Sequence, residues 1–173
     1  MKNRNLFAYL LLFLLLLGLT ACGSECSDNS LKEISRNLGT DVGGGEIVSQ
    51  SDNHGGFHGD GTTVVEIQFT DSAFAEQMEE NGEWNALPLT ENLTALVYGI
   101  HNEDSSIGPM IHGGDCIPVI PEIENGYYYF LDRHSQSTNP KDDSGVLDRA
   151  SYNFTIAIFD TDQQILYYMK LDT

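Results

Sequence analysis

The chain has 173 residues, enough for one domain with its own hydrophobic core. It carries 26 Asp and Glu against 8 Lys and Arg, which gives a formal net charge of −18. So acidic a surface repels the phosphates of nucleic acids and of anionic lipid headgroups, which argues against both as partners. It attracts cations and basic proteins, or it serves only to keep the domain soluble.

The first 21 residues have the composition of an export signal. Lys2 and Arg4 precede an apolar run from Leu6 to Leu19. As a helix this run covers about 21 Å, less than the roughly 30 Å of a bilayer core. We therefore expect a signal peptide that is removed, with a membrane-spanning anchor as the alternative.

The apolar run ends in the string Leu19-Thr20-Ala21-Cys22. This string resembles the lipobox of bacterial lipoproteins. The resemblance implies that residues 1–21 are removed and that Cys22 receives a diacylglyceryl group, whose two acyl chains (palmitate, for example) are what stable anchoring needs. Because Lys2 and Arg4 leave with the signal, the mature protein carries 6 Lys and Arg against 26 Asp and Glu, a charge of −20.

Two further strings carry a resemblance, Gly55-Gly56-Phe57-His58-Gly59-Asp60-Gly61 and Tyr152-Asn153-Phe154-Thr155-Ile156-Ala157-Ile158-Phe159-Asp160-Thr161-Asp162. They are similar to small uncharacterised lipoproteins of low-GC Gram-positive bacteria. The likeness implies a lipid-anchored protein on the outer face of the cell membrane, and it implies no activity.

The three cysteines divide into one lipid site and one pair. With Cys22 assigned to the lipid, Cys26 and Cys116 remain as an even pair in a compartment that permits disulfides. A bridge between them would close a loop of about 90 residues and stabilise the fold by roughly 4–5 kcal/mol in the chain-entropy model. Two separate thiols are the alternative.

The first half of the mature chain predicts a helix, two strands and two more helices, in that order. We expect a lipidated cysteine with a short tether over 22–30 and a single domain over 31–173. Ser30-Leu31-Lys32-Glu33 is a capping box, which predicts a helix that ends at Gly39. The patterns also predict strands around Glu46–Ser51 and over Thr62–Thr70, a helix that carries Phe74 and Met78, and a helix from Thr90.

The last third of the sequence is rich in aromatic and β-branched residues. Strands are predicted over Tyr127–Leu131, Tyr152–Phe159 and Ile165–Leu171. The turn-type string Asp160–Gln163 joins the last two, which implies an antiparallel pair. We therefore expect an α+β fold: a largely antiparallel sheet of about five strands with two or three helices packed on one face.

The loop around His54, His58 and Asp60 predicts a metal site. Two imidazoles and a carboxylate within seven residues offer nitrogen and oxygen ligands to Zn²⁺ or a similar divalent ion, and the glycines between them let the loop bend. The alternative is a polar loop whose histidines bond nearby backbone. A fourth ligand would come from His101, His112, Asp115 or His134.

The long connection from Asp132 to Ser151 is a second candidate site. About 20 residues without regular structure are usually functional or mobile in a compact domain. Its carboxylates favour Ca²⁺ or a polar ligand, although Asp142-Asp143-Ser144-Gly145 does not follow the EF-hand pattern. In the simpler interpretation Asp132 and Arg133 pair with charges nearby and the rest is solvated.

No familiar catalytic motif is present in the sequence, and we assign no catalytic residue. The first hypothesis is a membrane-anchored, extracytoplasmic binding or interaction module for an unknown protein, peptide or cell-envelope ligand. A metal-binding lipoprotein that uses the His54–Asp60 loop is the second, and an extracytoplasmic hydrolase is the third. An enzyme is the less favoured interpretation.

Overall fold

A computed structural model describes residues 22–55, 59–102 and 106–173 of the chain, and side chains from Ser27 onwards. The chain divides into two compact units between Gly43 and Gly44. The first contains helix α1, Cys22–Leu38, which ends at Gly39 with a φ of 64°. The stop at Gly39 was predicted correctly. The start was wrong, because the residues predicted as a tether after Cys22 are already helical.

The described strands of the second unit are β1 Glu46–Asp52, β2 Gly61–Gln68, β3 Asn85–Ala86, β4 Ile100–His101, β5 Ser106–Ile107, β6 Gly126–Asp132, β7 Asn153–Asp160 and β8 Ile165–Asp172. Six of them form one fully antiparallel sheet in the order β1-β2-β8-β7-β6-β3. The two short strands β4 and β5 form a separate hairpin.

One face of this sheet is covered by helix α2, Ala73–Glu80. The ring of Phe74 stacks on Phe69 at 4.2 Å and meets Phe159 edge-on at 4.9 Å between centroids. Trp84, just after the helix, lies 5.7 Å from Tyr129 of β6. Because Tyr129 and Phe159 point to the same side of the sheet, these rings form one aromatic core.

The opposite face packs against helix α3, Glu91–Val97. Thr90 caps this helix by accepting a hydrogen bond of 3.2 Å from the backbone N–H of Leu93. Leu93 and Leu96 belong to a buried cluster that includes Phe130 and Ile156. Along β6 and β7 these two residues alternate with the side chains that face α2, so they lie on the other face of the sheet.

The α+β class with a largely antiparallel sheet is confirmed. The described sheet has six strands rather than about five, because the two-residue strand β3 pairs with β6. The helices were predicted on one face, but α2 and α3 contact opposite faces. The reason is visible in β6 and β7, where apolar side chains occupy both alternating sets of positions, so both faces of the strands must be covered.

Candidate functional site

The connection between β6 and β7 leaves the sheet at Asp132 and returns at Asn153. Backbone hydrogen bonds hold both ends: the N–H of Asp132 donates to Pro140 at 2.7 Å, and that of Arg133 donates to Asn153 at 2.7 Å. Val146 is buried, with 1% of its surface exposed, and belongs to the α3-face core. The connection is thus a packed loop, held at both ends and in its middle.

A buried ion pair organises this loop. The Arg149 guanidinium donates from Nη1 to Asp132 Oδ2 at 2.5 Å, and the backbone N–H of His134 donates to the other carboxylate oxygen at 3.0 Å. The Asp132 side chain is 1% exposed and that of Arg149 is 15% exposed. An ion pair this deep costs desolvation free energy, so it fixes position more than it stabilises. The prediction that Asp132 pairs with a nearby charge is confirmed.

Contacts to the rest of the sheet unit hold the outer part of the connection. The hydroxyl of Thr90 donates to the carboxylate of Asp143, and Asn92 Nδ2 donates to the Asp143 carbonyl at 2.9 Å. Lys141 Nζ lies 2.9 Å from Glu83 and 3.6 Å from the centre of the Tyr129 ring. The loop is therefore tied to the start of α3 and to the edge of the sheet.

Between these supports lies a polar pocket of about 130 Å³. Eight residues between Gln136 and Arg149 line it, and seven of them carry side chains that can form hydrogen bonds. Ser137 Oγ is buried and has no hydrogen-bond partner among the described residues. A buried hydroxyl without a partner costs free energy.

Asp142 supplies the negative charge of the pocket. Its carboxylate accepts a hydrogen bond of 2.9 Å from the backbone N–H of Ser144. This bond, together with one from the Ser144 hydroxyl, lowers the pKa of Asp142. The pocket thus presents an ionised carboxylate and a guanidinium in the same small volume.

The structure places His54 in a hydrogen-bonding network with carboxylates rather than with the other predicted metal ligands. Its Nδ1 lies 2.8 Å from Asp52, and its Nε2 lies 3.2 Å from Asp172. Asp172 also binds Arg133 at 2.7 Å and Lys170 at 3.0 Å. The expectation that Arg133 pairs with a nearby charge is confirmed here.

Both carboxylates of this network have lowered pKa values. For Asp52 the largest cause is the hydrogen bond from the backbone N–H of His54. For Asp172, burial raises the pKa, but the hydrogen bonds and charges of Arg133 and Lys170 outweigh it.

The remaining members of the predicted metal site are only partly described. His58 lies outside the described residues, and the exposed Asp60 contributes its carbonyl oxygen to the N–H of Gly55 at 3.3 Å. Among residues 22–55, 59–102 and 106–173, no three His, Cys, Asp or Glu side chains are arranged to hold a metal ion. The zinc site on His54, His58 and Asp60 therefore stays a prediction.

The other histidines lie on separate elements, each with a partner of its own. His101 on β4 bonds Ser106 at 2.7 Å, and His134 in the β6–β7 connection bonds Ser151 at 3.1 Å. His112 lies 2.8 Å from the carbonyl oxygen of the next residue. The structure does not bring these three together.

The cysteines are described unequally. Cys22 begins α1, and the side chains of Cys22 and Cys26 lie outside the described part. Cys116 is an exposed free thiol, next to Asp115 in a tight turn where both residues have φ near +60°. The predicted bridge from Cys26 is not formed at Cys116 in this structure, and the pairing stays a prediction for the oxidised protein.

The length of the β6–β7 connection marks it as a candidate site in the sequence, but the partners of its charges were not predicted. Only four Lys and Arg follow Gly44, and all four form ion pairs: Arg133, Lys141, Arg149 and Lys170. The scarcity itself is a usable signal, since a cation kept in so acidic a chain is expected to have a specific partner. No sequence signal identifies Ser137, because its burial depends on how the loop folds back.

Comparisons with known proteins give no match: no family model, no curated protein and no solved structure is similar to this chain. Within the described residues, the structure has no helix with the length and apolar character needed to cross a membrane.

Proposed function

We propose that this protein is a bacterial lipoprotein, anchored by lipid on Cys22 to the outer face of the cell membrane, that binds a small polar ligand in the pocket of the β6–β7 connection. The observation that carries the binding function is a pocket lined almost entirely by hydrogen-bonding side chains, among them Arg149, whose Nε and Nη2 have no partner among the described residues. A bound polar ligand would give those two donors a partner.

Binding fits this pocket better than hydrolysis by a general acid does. A hydrolase that uses a general acid needs a carboxyl group held protonated near neutral pH, which requires a raised pKa. In the pocket, hydrogen bonds from Ser144 move the pKa of Asp142 in the opposite direction. The supports from Thr90, Asn92 and Lys141 are what a preorganised binding site requires.

The anchoring part of the proposal is supported by the string that ends in Cys22, at the end of an apolar run too short to span a bilayer. It is tested with Cys22→Ala, with Cys26→Ala as the matched control, in a bacterial host fed a labelled fatty acid. We expect Cys22→Ala to lose the label and to be released or remain unprocessed, while Cys26→Ala is labelled and anchored. A Cys22→Ala protein that is still cut after residue 21 and anchored would contradict lipidation.

The binding part is tested on the ¹⁵N-labelled full chain in detergent. Small amino acids, sugars and carboxylates are added, and the backbone amide signals of residues 136–149 are followed by NMR. At least one class should shift these signals in a saturable way. If no compound does, the binding function is wrong.

A pocket-filling variant locates the site. A side chain at Gly145 begins in open space, at a φ of −106° that any residue adopts, so Gly145→Phe should fold and fill the pocket. Gly82→Phe is the matched control, since Gly82 also faces open space and does not line the pocket. Binding should be lost in the first variant and kept in the second. Equal binding in both would place the ligand elsewhere.

A further inference from the structure

We infer that the ligand of this pocket is a small zwitterion, the size of a free α-amino acid, whose carboxylate binds Arg149 and whose ammonium group binds Asp142. This inference rests on the proposed binding function and adds the chemical class of the ligand.

Arg149 supplies the binding group for a carboxylate. Within the described part of the chain, its guanidinium makes one hydrogen bond, from Nη1 to Asp132, and Nε and Nη2 have no partner. The side chain lines the pocket and is 15% exposed. Two neighbouring N–H donors on one planar group match the two oxygens of a carboxylate, and Asp132 holds the group in place from behind.

Asp142 supplies the complementary group. Its residue is exposed, so it lies towards the mouth of the pocket, whereas Arg149 and Ser137 lie deeper. Its lowered pKa keeps the carboxylate ionised. An ammonium group that sits at Asp142 would leave the carboxylate of the same molecule directed inwards, towards Arg149.

Charge decides between a zwitterion and a simple anion. Arg149 is already neutralised by Asp132, so the pocket with Asp142 is negative, and the whole chain carries −18. A free anion is repelled by both. A free cation satisfies Asp142 but leaves the Arg149 donors without a partner. A molecule with both charges and no net charge satisfies both ends.

Size restricts the ligand further. The pocket of about 130 Å³ is smaller than the roughly 300–1,000 Å³ of pockets that enclose drug-sized ligands. Few apolar groups line it, so a long apolar side chain on the ligand would gain nothing. The small amino acids glycine and alanine fit both limits.

The test compares glycine with its two halves and with a neutral polyol. Glycine, acetate, methylamine and glycerol are titrated separately into the full chain in detergent, and the amide signals of residues 136–149 are followed by NMR. We expect glycine to bind about tenfold or more tightly than acetate or methylamine, since each half loses one charge-assisted contact. If acetate or methylamine binds as tightly as glycine, or if glycerol binds and glycine does not, the ligand is not a zwitterion. Either result would leave the proposed binding function unchanged.

Two substitutions check the orientation. Asp142→Asn should weaken glycine about tenfold and leave acetate unchanged or tighter, because it removes the ammonium partner and a repulsive charge. Asp115→Asn, at another exposed aspartate outside the pocket, is the control and should change neither. Arg149→Lys keeps the charge next to Asp132 but loses the planar fork, so it should weaken both glycine and acetate. If Asp142→Asn affects both ligands equally, the assigned orientation is wrong.

Discussion

Replacing Asp132 by Asn tests whether the buried ion pair is as desolvated as its geometry indicates. The substitution keeps the shape of the side chain and an acceptor for the His134 N–H, but it leaves the Arg149 guanidinium without a counter-charge. Breaking a buried ion pair costs about 3–5 kcal/mol. Because the Arg149 side chain keeps 15% of its surface exposed, we expect the lower end of that range, about 3 kcal/mol.

For a chain of this size, each kcal/mol lowers Tm by about 2–4 °C, so Asp132→Asn should lower Tm by about 6–12 °C in thermal unfolding followed by circular dichroism. The double variant with Arg149→Met removes the orphaned charge and should recover most of that loss. Asp142→Asn, at an exposed carboxylate, should change stability by no more than about 0.5 kcal/mol. If Asp132→Asn costs less than about 1 kcal/mol, water reaches the pair and the reasoning fails.

Three further predictions concern the sheet and helix α2, which covers one of its faces. Gly126→Ala should lose about 3 kcal/mol or more in urea unfolding, because a Cβ there would clash with the carbonyl oxygen of Phe159 at a φ of 149°. Phe74→Ala should lose about 3–5 kcal/mol by the same measurement, since its ring is 1% exposed between aromatic neighbours. Stability should fall as pH falls below about 4, because the pKa of Asp172 is lowered from 3.8 in the folded protein. The unfolded chain therefore protonates Asp172 at a higher pH than the folded protein does, and Asp172→Asn should flatten this decline.

Each of these has a matched control. Gly82→Ala faces open space and should be neutral beside Gly126→Ala. Val48→Ala removes an apolar side chain that is 54% exposed and should cost far less than Phe74→Ala. Asp115→Asn should leave the acid decline unchanged. The packing arguments are wrong if Gly126→Ala is as stable as Gly82→Ala, or if Val48→Ala and Phe74→Ala lose the same stability. The charge argument is wrong if Asp172→Asn loses stability in acid as steeply as the parent protein does.

The strands were predictable from sequence because their signal is local. The predicted strand Thr62–Thr70 is β2 at Gly61–Gln68, and the predicted strand Ile165–Leu171 is β8 at Ile165–Asp172. The turn from Asp160 also follows from its own side chain, which accepts from the N–H groups of the second and third residues after it at 2.8 and 2.9 Å. Such patterns need no knowledge of distant neighbours.

What sequence missed depends on distant contacts. Strand β3 has two residues and exists only because Asn85 and Ala86 meet β6. Likewise, Asp172 is the last residue of β8 and meets Arg133 only because β6, β7 and β8 are adjacent. The pocket also depends on distant contacts. The length of its loop marked it as a candidate site, but Ser137, Asp142 and Arg149 become neighbours only after the connection folds back on the sheet.

The pairing of every Lys and Arg after Gly44 has a consequence for proteolysis. Trypsin-like proteases must take an extended cationic side chain into an acidic specificity pocket. Residues 37–132 hold neither Lys nor Arg, so they offer such proteases no cleavage site at all. Beyond them, each cation is already held by a carboxylate, and Arg149 is held at Asp132 inside the fold. The second unit therefore offers trypsin-like proteases few accessible sites, whereas a glutamate-specific protease finds exposed glutamates along α2.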